Sequence, residues 1–151
     1  MRRWLVRIAL AGVALFLLAQ AIPYGRDHKN PPVVAEPSWD SARTRQLARD
    51  ACFDCHSNLT TWPWYSNVAP ISWLNYRDVH DGRAALNFSE WTKPQDGAGD
   101  AVEAVANGSM PPWFYTPLHP KASLSAAEKR ELMRGLAATF RRSPPIAGGG
   151  G

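Results

Sequence analysis

Cysteine is nearly missing from this chain of 151 residues: it has two, Cys52 and Cys55, and none to spare. A disulfide framework is thereby excluded. A zinc ribbon needs a second Cys or His pair at ligand spacing, and His28, His80 and His119 stand singly along the chain. Sustained alternation of apolar and polar residues is also absent, so no segment reads as a β-strand and the fold class expected is all-α. The chain has no glycine-rich nucleotide loop, no Ser-His-Asp cue and no paired carboxylates in a recognisable context. Excess charge is scarce as well. The formal net charge is +4, and setting aside Arg2, Arg3 and Arg7 of the N-terminal flank leaves +1, which gives no reason to expect nucleic acid as a partner.

What the chain does contain is Cys52-Phe53-Asp54-Cys55-His56, a Cys-x-x-Cys-His motif. Thiols at that spacing reach both vinyl groups of one haem, and the adjacent imidazole is placed to bind its iron. Cys52, Cys55 and His56 are therefore the expected cofactor-binding residues, holding one covalent haem c. A redox dithiol is the alternative, although a thioredoxin-type motif sits between a strand and a helix in a run of β-branched residues that is lacking here.

The N-terminus points to the compartment in which such attachment takes place. Arg2, Arg3 and Arg7 flank an apolar run from Ile8 to Ile22, the pattern that directs the following chain across a membrane. Counted over residues 4–22 with Arg7 snorkelling, the segment is long enough to span a bilayer. The expectation is a single-pass anchor with the rest on the periplasmic side. Ala19-Gln20-Ala21 also fits a small-x-small cleavage site, which would release a soluble periplasmic protein after Ala21.

Four parts follow from composition: an anchor or signal segment at 1–22, a proline-rich linker at 23–37, one helical domain at 38–142, and a disordered tail at 143–151. Within the domain, Asp40 is expected to cap a helix leading into Cys52. Pro70 opens a second helix that Gly82 is expected to end. Ala98 to Asn107 is a third, closed by Gly108. Ser125-Ala126-Ala127-Glu128 is a capping box, and Leu132, Met133, Leu136, Ala137 and Phe140 keep helical period after it. Six bases against two acids between Lys121 and Arg142 would steer an acidic redox partner, although a solvated helix face is the plainer reading.

A second axial ligand is sought among Met110, Met133, His80 and His119. Met110 stands in Gly108-Ser109-Met110-Pro111-Pro112, presented from a stiff loop, whereas Met133 falls on the apolar stripe of the last helix and reads as core. Met110 is the expected distal ligand, with a histidine or an open position as alternatives. Trp62, Trp64, Tyr65, Trp73, Phe88, Trp91, Trp113, Phe114 and Tyr115 gather around the two ligand segments and are expected to wall a porphyrin. Arg83 is one possible propionate partner among several.

The motif with Ser57-Asn58, then Thr61-Trp62-Pro63-Trp64-Tyr65-Ser66, Ala69-Pro70-Ile71-Ser72-Trp73-Leu74, Asn87-Phe88-Ser89-Glu90-Trp91 and Met110-Pro111-Pro112, resembles the bacterial haem-binding domain family, a cytochrome-c-like group. Pro23-Tyr24-Gly25-Arg26 and Asn30-Pro31-Pro32 match its lead-in after a membrane segment. The resemblance implies covalent haem c, with His56 as proximal ligand and Met110 as distal ligand. The function expected is electron transfer between redox partner proteins rather than catalysis. The alternative is a haem-dependent peroxidase or gas sensor with an open distal site, His80 or His119 serving as its acid-base group.

Overall fold

The computed structural model describes residues 1–147, and among these the regular structure is helical: α1 (Arg2–Gln20), α2 (Ala42–Ala51), α3 (Phe53–His56), α4 (Ile71–Ala85), α5 (Ala101–Ala106) and α6 (Ala126–Arg142). Short 3-10 turns lie at Trp64–Asn67, Asp96–Ala98, Thr116–Leu118 and Pro120–Ala122. Two isolated bridges, Ala35 with Glu90 and Pro94 with Ile146, are the only β-type pairings among the described residues. The chain divides into two compact units, Met1–Lys29 with Trp62–Asp78, and Asn30–Thr61 with Val79–Gly151. Gly148 to Gly151, the end of the expected tail, lie outside the described residues.

In the first unit, α1 buries none of its residues and is apolar enough to cross a membrane. In the second, Leu47 and Ala48 of α2, Phe53 of α3, Val105 of α5 and Leu132 and Leu136 of α6 form one core with Leu86, Phe88, Trp91 and Ala98. Aromatic rings run through it in series. Phe53 stacks on Phe88 at 5.6 Å, Phe88 on Trp91 at 5.9 Å, and Trp91 on Phe140 at 5.5 Å. Phe88 and Trp91 are thus buried in this core, with Phe88 stacked directly on Phe53 of the motif.

The capping box forms as expected, Ser125 accepting from the Glu128 backbone N–H while the Glu128 carboxylate accepts from Ser125. The cap of α2 is Ser41 rather than Asp40. Ser41 is extended (φ −153°, ψ 158°) and its hydroxyl accepts from Thr44 N–H, while the Asp40 backbone N–H is taken by Thr139 Oγ1 at 3.1 Å. Helix α4 does not stop at Gly82 but continues to Ala85, since an internal glycine costs only about 1 kcal/mol and a close approach needs it there. The third helix is shorter than expected, Ala101–Ala106, with Gly108 following at φ +79°. Residues expected to be linker and tail carry backbone bonds: Val34 N–H to Ser89 O, Trp91 N–H to Ala35 O, and Gln95 N–H to Ile146 O.

Helices α2 and α6 meet where α6 has a glycine. A Cβ on Gly135 would lie 2.0 Å from Thr44 Oγ1 and 2.8 Å from Thr44 Cβ, and Thr44 is buried. Gly135→Ala gains about 1 kcal/mol of helix propensity, yet the overlap forces α2 outward at a larger cost, giving a net loss of about 2 kcal/mol. Thermal unfolding checks this, and a Thr44→Ala background should lessen the loss because the nearest atoms are then gone.

Candidate functional site

Helix α2 hands directly into the motif. Cys52 N–H bonds Ala48 O at 2.8 Å to close α2, and Cys52 O accepts from both Cys55 N–H (3.2 Å) and His56 N–H (2.9 Å). Cys52, the N-cap of α3 (φ −126°, ψ −35°), and Cys55 within it therefore belong to one turn of chain. Cys52 is half-buried against the core, and burial first, then the neighbouring Cys55, pushes its thiol up to about 12. A redox-active dithiol has the opposite character, with a depressed pKa.

His56 is held by two backbone carbonyls. Its Nδ1 lies 2.9 Å from Gly82 O and 3.1 Å from Leu86 O. Two carbonyl acceptors on one ring nitrogen require that nitrogen to carry the proton, so Nε2 presents a lone pair. Burial lowers the imidazole pKa against the raising effect of those two backbone bonds, favouring the neutral ring that a metal requires. The approach of α4 that makes this possible is very close. A Cβ on Gly82 would stand 2.5 Å from Cys55 O and 3.0 Å from Cys55 Cβ.

The chain leaving the motif is held by buried polar groups. Asn58 N–H donates to Ser89 Oγ, Asn87 Nδ2 to Asn58 Oδ1, Asn87 N–H to Gln95 Oε1, and Ser89 N–H to Asn87 Oδ1, all between 2.7 and 2.9 Å. Phe88 N–H donates to His56 O at 2.8 Å. Arg83 bonds Ser57 O, Asn30 Oδ1 and Thr60 Oγ1, each at 2.8 Å, with burial lowering its pKa. Its guanidinium fork thus braces the loop after His56. On the core side of the motif, Glu36 takes Arg45 at 2.6 and 2.7 Å and Trp39 Nε1 at 2.7 Å, and the Arg45 bonds hold its carboxyl below the usual range.

Met110 lies on the loop after α5, its N–H bonded to Ala104 O, and it is 38% exposed. Met133 packs against the core, as expected of it. Trp113, Phe114 and Leu118 are exposed with Met110, making an apolar strip of one short segment. That segment is tied to the motif by Tyr115, whose hydroxyl donates to Asp54 Oδ2 at 2.5 Å. His119 stacks on Tyr115 at 3.8 Å with Nδ1 on Tyr115 O, and His80 is exposed beside Asp81. Glu128 and Glu131, the two acids of α6, both pair with Arg43 of α2.

The site thus combines two thiols within one turn of chain, an imidazole whose Nδ1 is engaged by backbone carbonyls, and a neighbouring segment tied to Asp54 through Tyr115. Sequence reasoning singled out the three motif residues but missed Gly82 as the packing contact of Cys55, Tyr115 as the tie to Asp54, and the Asn58–Asn87–Gln95 network. The glycine within an otherwise helical pattern was the one available signal. Residues 14–138 match a family model described as haem-binding domain. No curated protein and no solved structure matches the chain.

Proposed function

Because the chain belongs to the haem-binding domain family, we propose that it is a membrane-anchored monohaem c-type cytochrome that passes electrons between redox partner proteins. The observation that carries the reading is His56, whose Nδ1–H is fixed by Gly82 O and Leu86 O and which follows the two motif thiols directly in the chain. When bound, haem supplies one-electron chemistry at its iron. Cys52 and Cys55 would hold it through thioethers, and His56 Nε2 would serve as proximal ligand. The backbone carbonyls on Nδ1 fix the ring's orientation and raise its basicity, the usual second partner of a ligating histidine.

Met110 would be the distal ligand. Of the three methionines, Met1 is terminal and Met133 belongs to the core, whereas Met110 stands on the loop that leads into the segment Tyr115 docks on the motif. A neutral thioether favours reduced iron, which suits a carrier more than a site for peroxide or gas. Replacing Met110 by alanine tests it. The absorption band of sulfur ligation to ferric haem should vanish, and the reduction potential should fall by on the order of 100 mV. An unchanged spectrum and potential would remove Met110 from the ligand set. The haem-bearing unit would face the periplasm, α1 spanning the cytoplasmic membrane. The exposed bases of α6 suit an acidic partner, and partner reduction should then slow as salt is raised.

A further inference from the structure

Helix α1 has 19 residues, about 28 Å at the helical rise, close to the roughly 30 Å hydrocarbon thickness of a bilayer. Its last residue is not a loose end. The Gln20 carboxamide donates from Nε2 to Ala69 O (2.9 Å) and accepts from Ala69 N–H (3.1 Å) through Oε1, and Ala69 is 0% exposed. Just beyond, a Cβ on Gly25 would lie 2.4 Å from Ser72 O, and Tyr24 meets Tyr76 edge-on at 5.3 Å. These contacts pin the start of α4 beside the end of α1, within the first unit.

The pinned segment has an unusual surface. From Trp62 to Tyr76 there is no Asp, Glu, Lys or Arg. Ile71 and Leu74, three apart on one face of α4, are 44% and 59% exposed, and Trp64 is 78% exposed. Ile22 and Tyr24 carry exposed apolar surface on from α1 itself. Apolar and aromatic side chains near where a span ends, with the cation of Arg26 donating to Gln20 O at 2.6 Å, match the interfacial layer of a bilayer, where aromatic rings and basic side chains both sit.

We propose that Trp64, Ile71 and Leu74 enter the headgroup layer of the phospholipid bilayer where α1 emerges, making a second lipid contact beside the span. The inference rests on α1 being a retained anchor. It also bears on that retention: cleavage after Ala21 would remove Gln20 and strip Ala69's buried peptide groups of both partners.

The test uses the full-length, haem-loaded protein in vesicles of phosphatidylethanolamine and phosphatidylglycerol. Benzoylphenylalanine replaces Trp64, Leu74, Val13 within α1, or Lys129 on α6, one at a time, and lipid adducts are counted after irradiation. Positions 64 and 74 should give adducts about tenfold above position 129 and comparable to position 13, as interfacial side chains do. Adducts at 13 with none above the 129 level at 64 and 74, or adducts there to protein instead of lipid, would overturn the proposal. Loss of residues 1–21 from the intact mass, or no adduct at 13, would instead remove the anchor and the proposal with it.

Discussion

With serine at both Cys52 and Cys55, haem that stays on the chain through denaturation falls to background, a loss of at least about 100-fold, because a hydroxyl forms no thioether. Each single replacement leaves one thiol and should retain reduced but measurable attachment. His56→Ala separates attachment from ligation: both thiols remain, so haem stays bound through denaturation while the low-spin spectrum is lost. Cys52 sits half-buried against the core, and serine in its place keeps the volume, so the double variant should still fold. Haem staining of a denaturing gel, with spectra of the native protein, checks all of these. A redox dithiol predicts another pattern, with the wild-type chain colourless and its two sulfurs cycling between thiol and disulfide. The high pKa of Cys52, set by burial and by Cys55, runs against that chemistry.

Gly82→Val is expected to cost about 3 kcal/mol or more and to disturb the haem site together with the fold. Even one added carbon would meet Cys55 O at 2.5 Å, and the obstacle is backbone that cannot rotate away. The valine's two methyl groups enlarge the overlap. Relief requires α4 to withdraw from α3, and that movement lengthens the bond from His56 Nδ1–H to Gly82 O. Loss of a ligating histidine's orienting partner typically weakens metal binding or activity by about 10- to 100-fold. The expected signature is thus twofold, a lower unfolding midpoint and a weakened or heterogeneous low-spin spectrum in the protein that does fold. Destabilisation with an unaltered spectrum would show that Gly82 supports the fold alone.

How much could be read in advance depended on whether the determinant was local. The Ser125–Glu128 capping box and the stripe of Leu132, Leu136 and Phe140 are contained within α6, and the structure carries both. The motif announced itself by identity and spacing. The cap of α2 falls one residue beyond the expected Asp40, because Asp40 and Ser41 are both good caps and the choice turns on Thr139, 99 residues away, engaging Asp40. Gly82 signals a stop because glycine usually weakens a helix, whereas here the lack of a Cβ is what lets the backbone of Cys55 approach. Composition counts the aromatic residues but does not sort them by burial: Phe88 and Trp91 are buried, Trp64 and Trp113 exposed. Tyr115 to Asp54 spans 61 residues and no periodicity marks it. The stretch Asn87 to Trp91 was recognisable as a family feature, yet its role of binding the loop after His56 to the core emerges only from the Asn58, Asn87 and Gln95 bonds.

Intact-mass spectrometry of the denatured wild-type chain, taken from a host equipped for haem attachment, addresses the central claim most directly. Addition of two S–H groups across two vinyl groups loses no atoms, so the expected mass is that of the chain plus one whole haem. A mass equal to the bare chain, with haem freed on denaturation or never acquired, would contradict it.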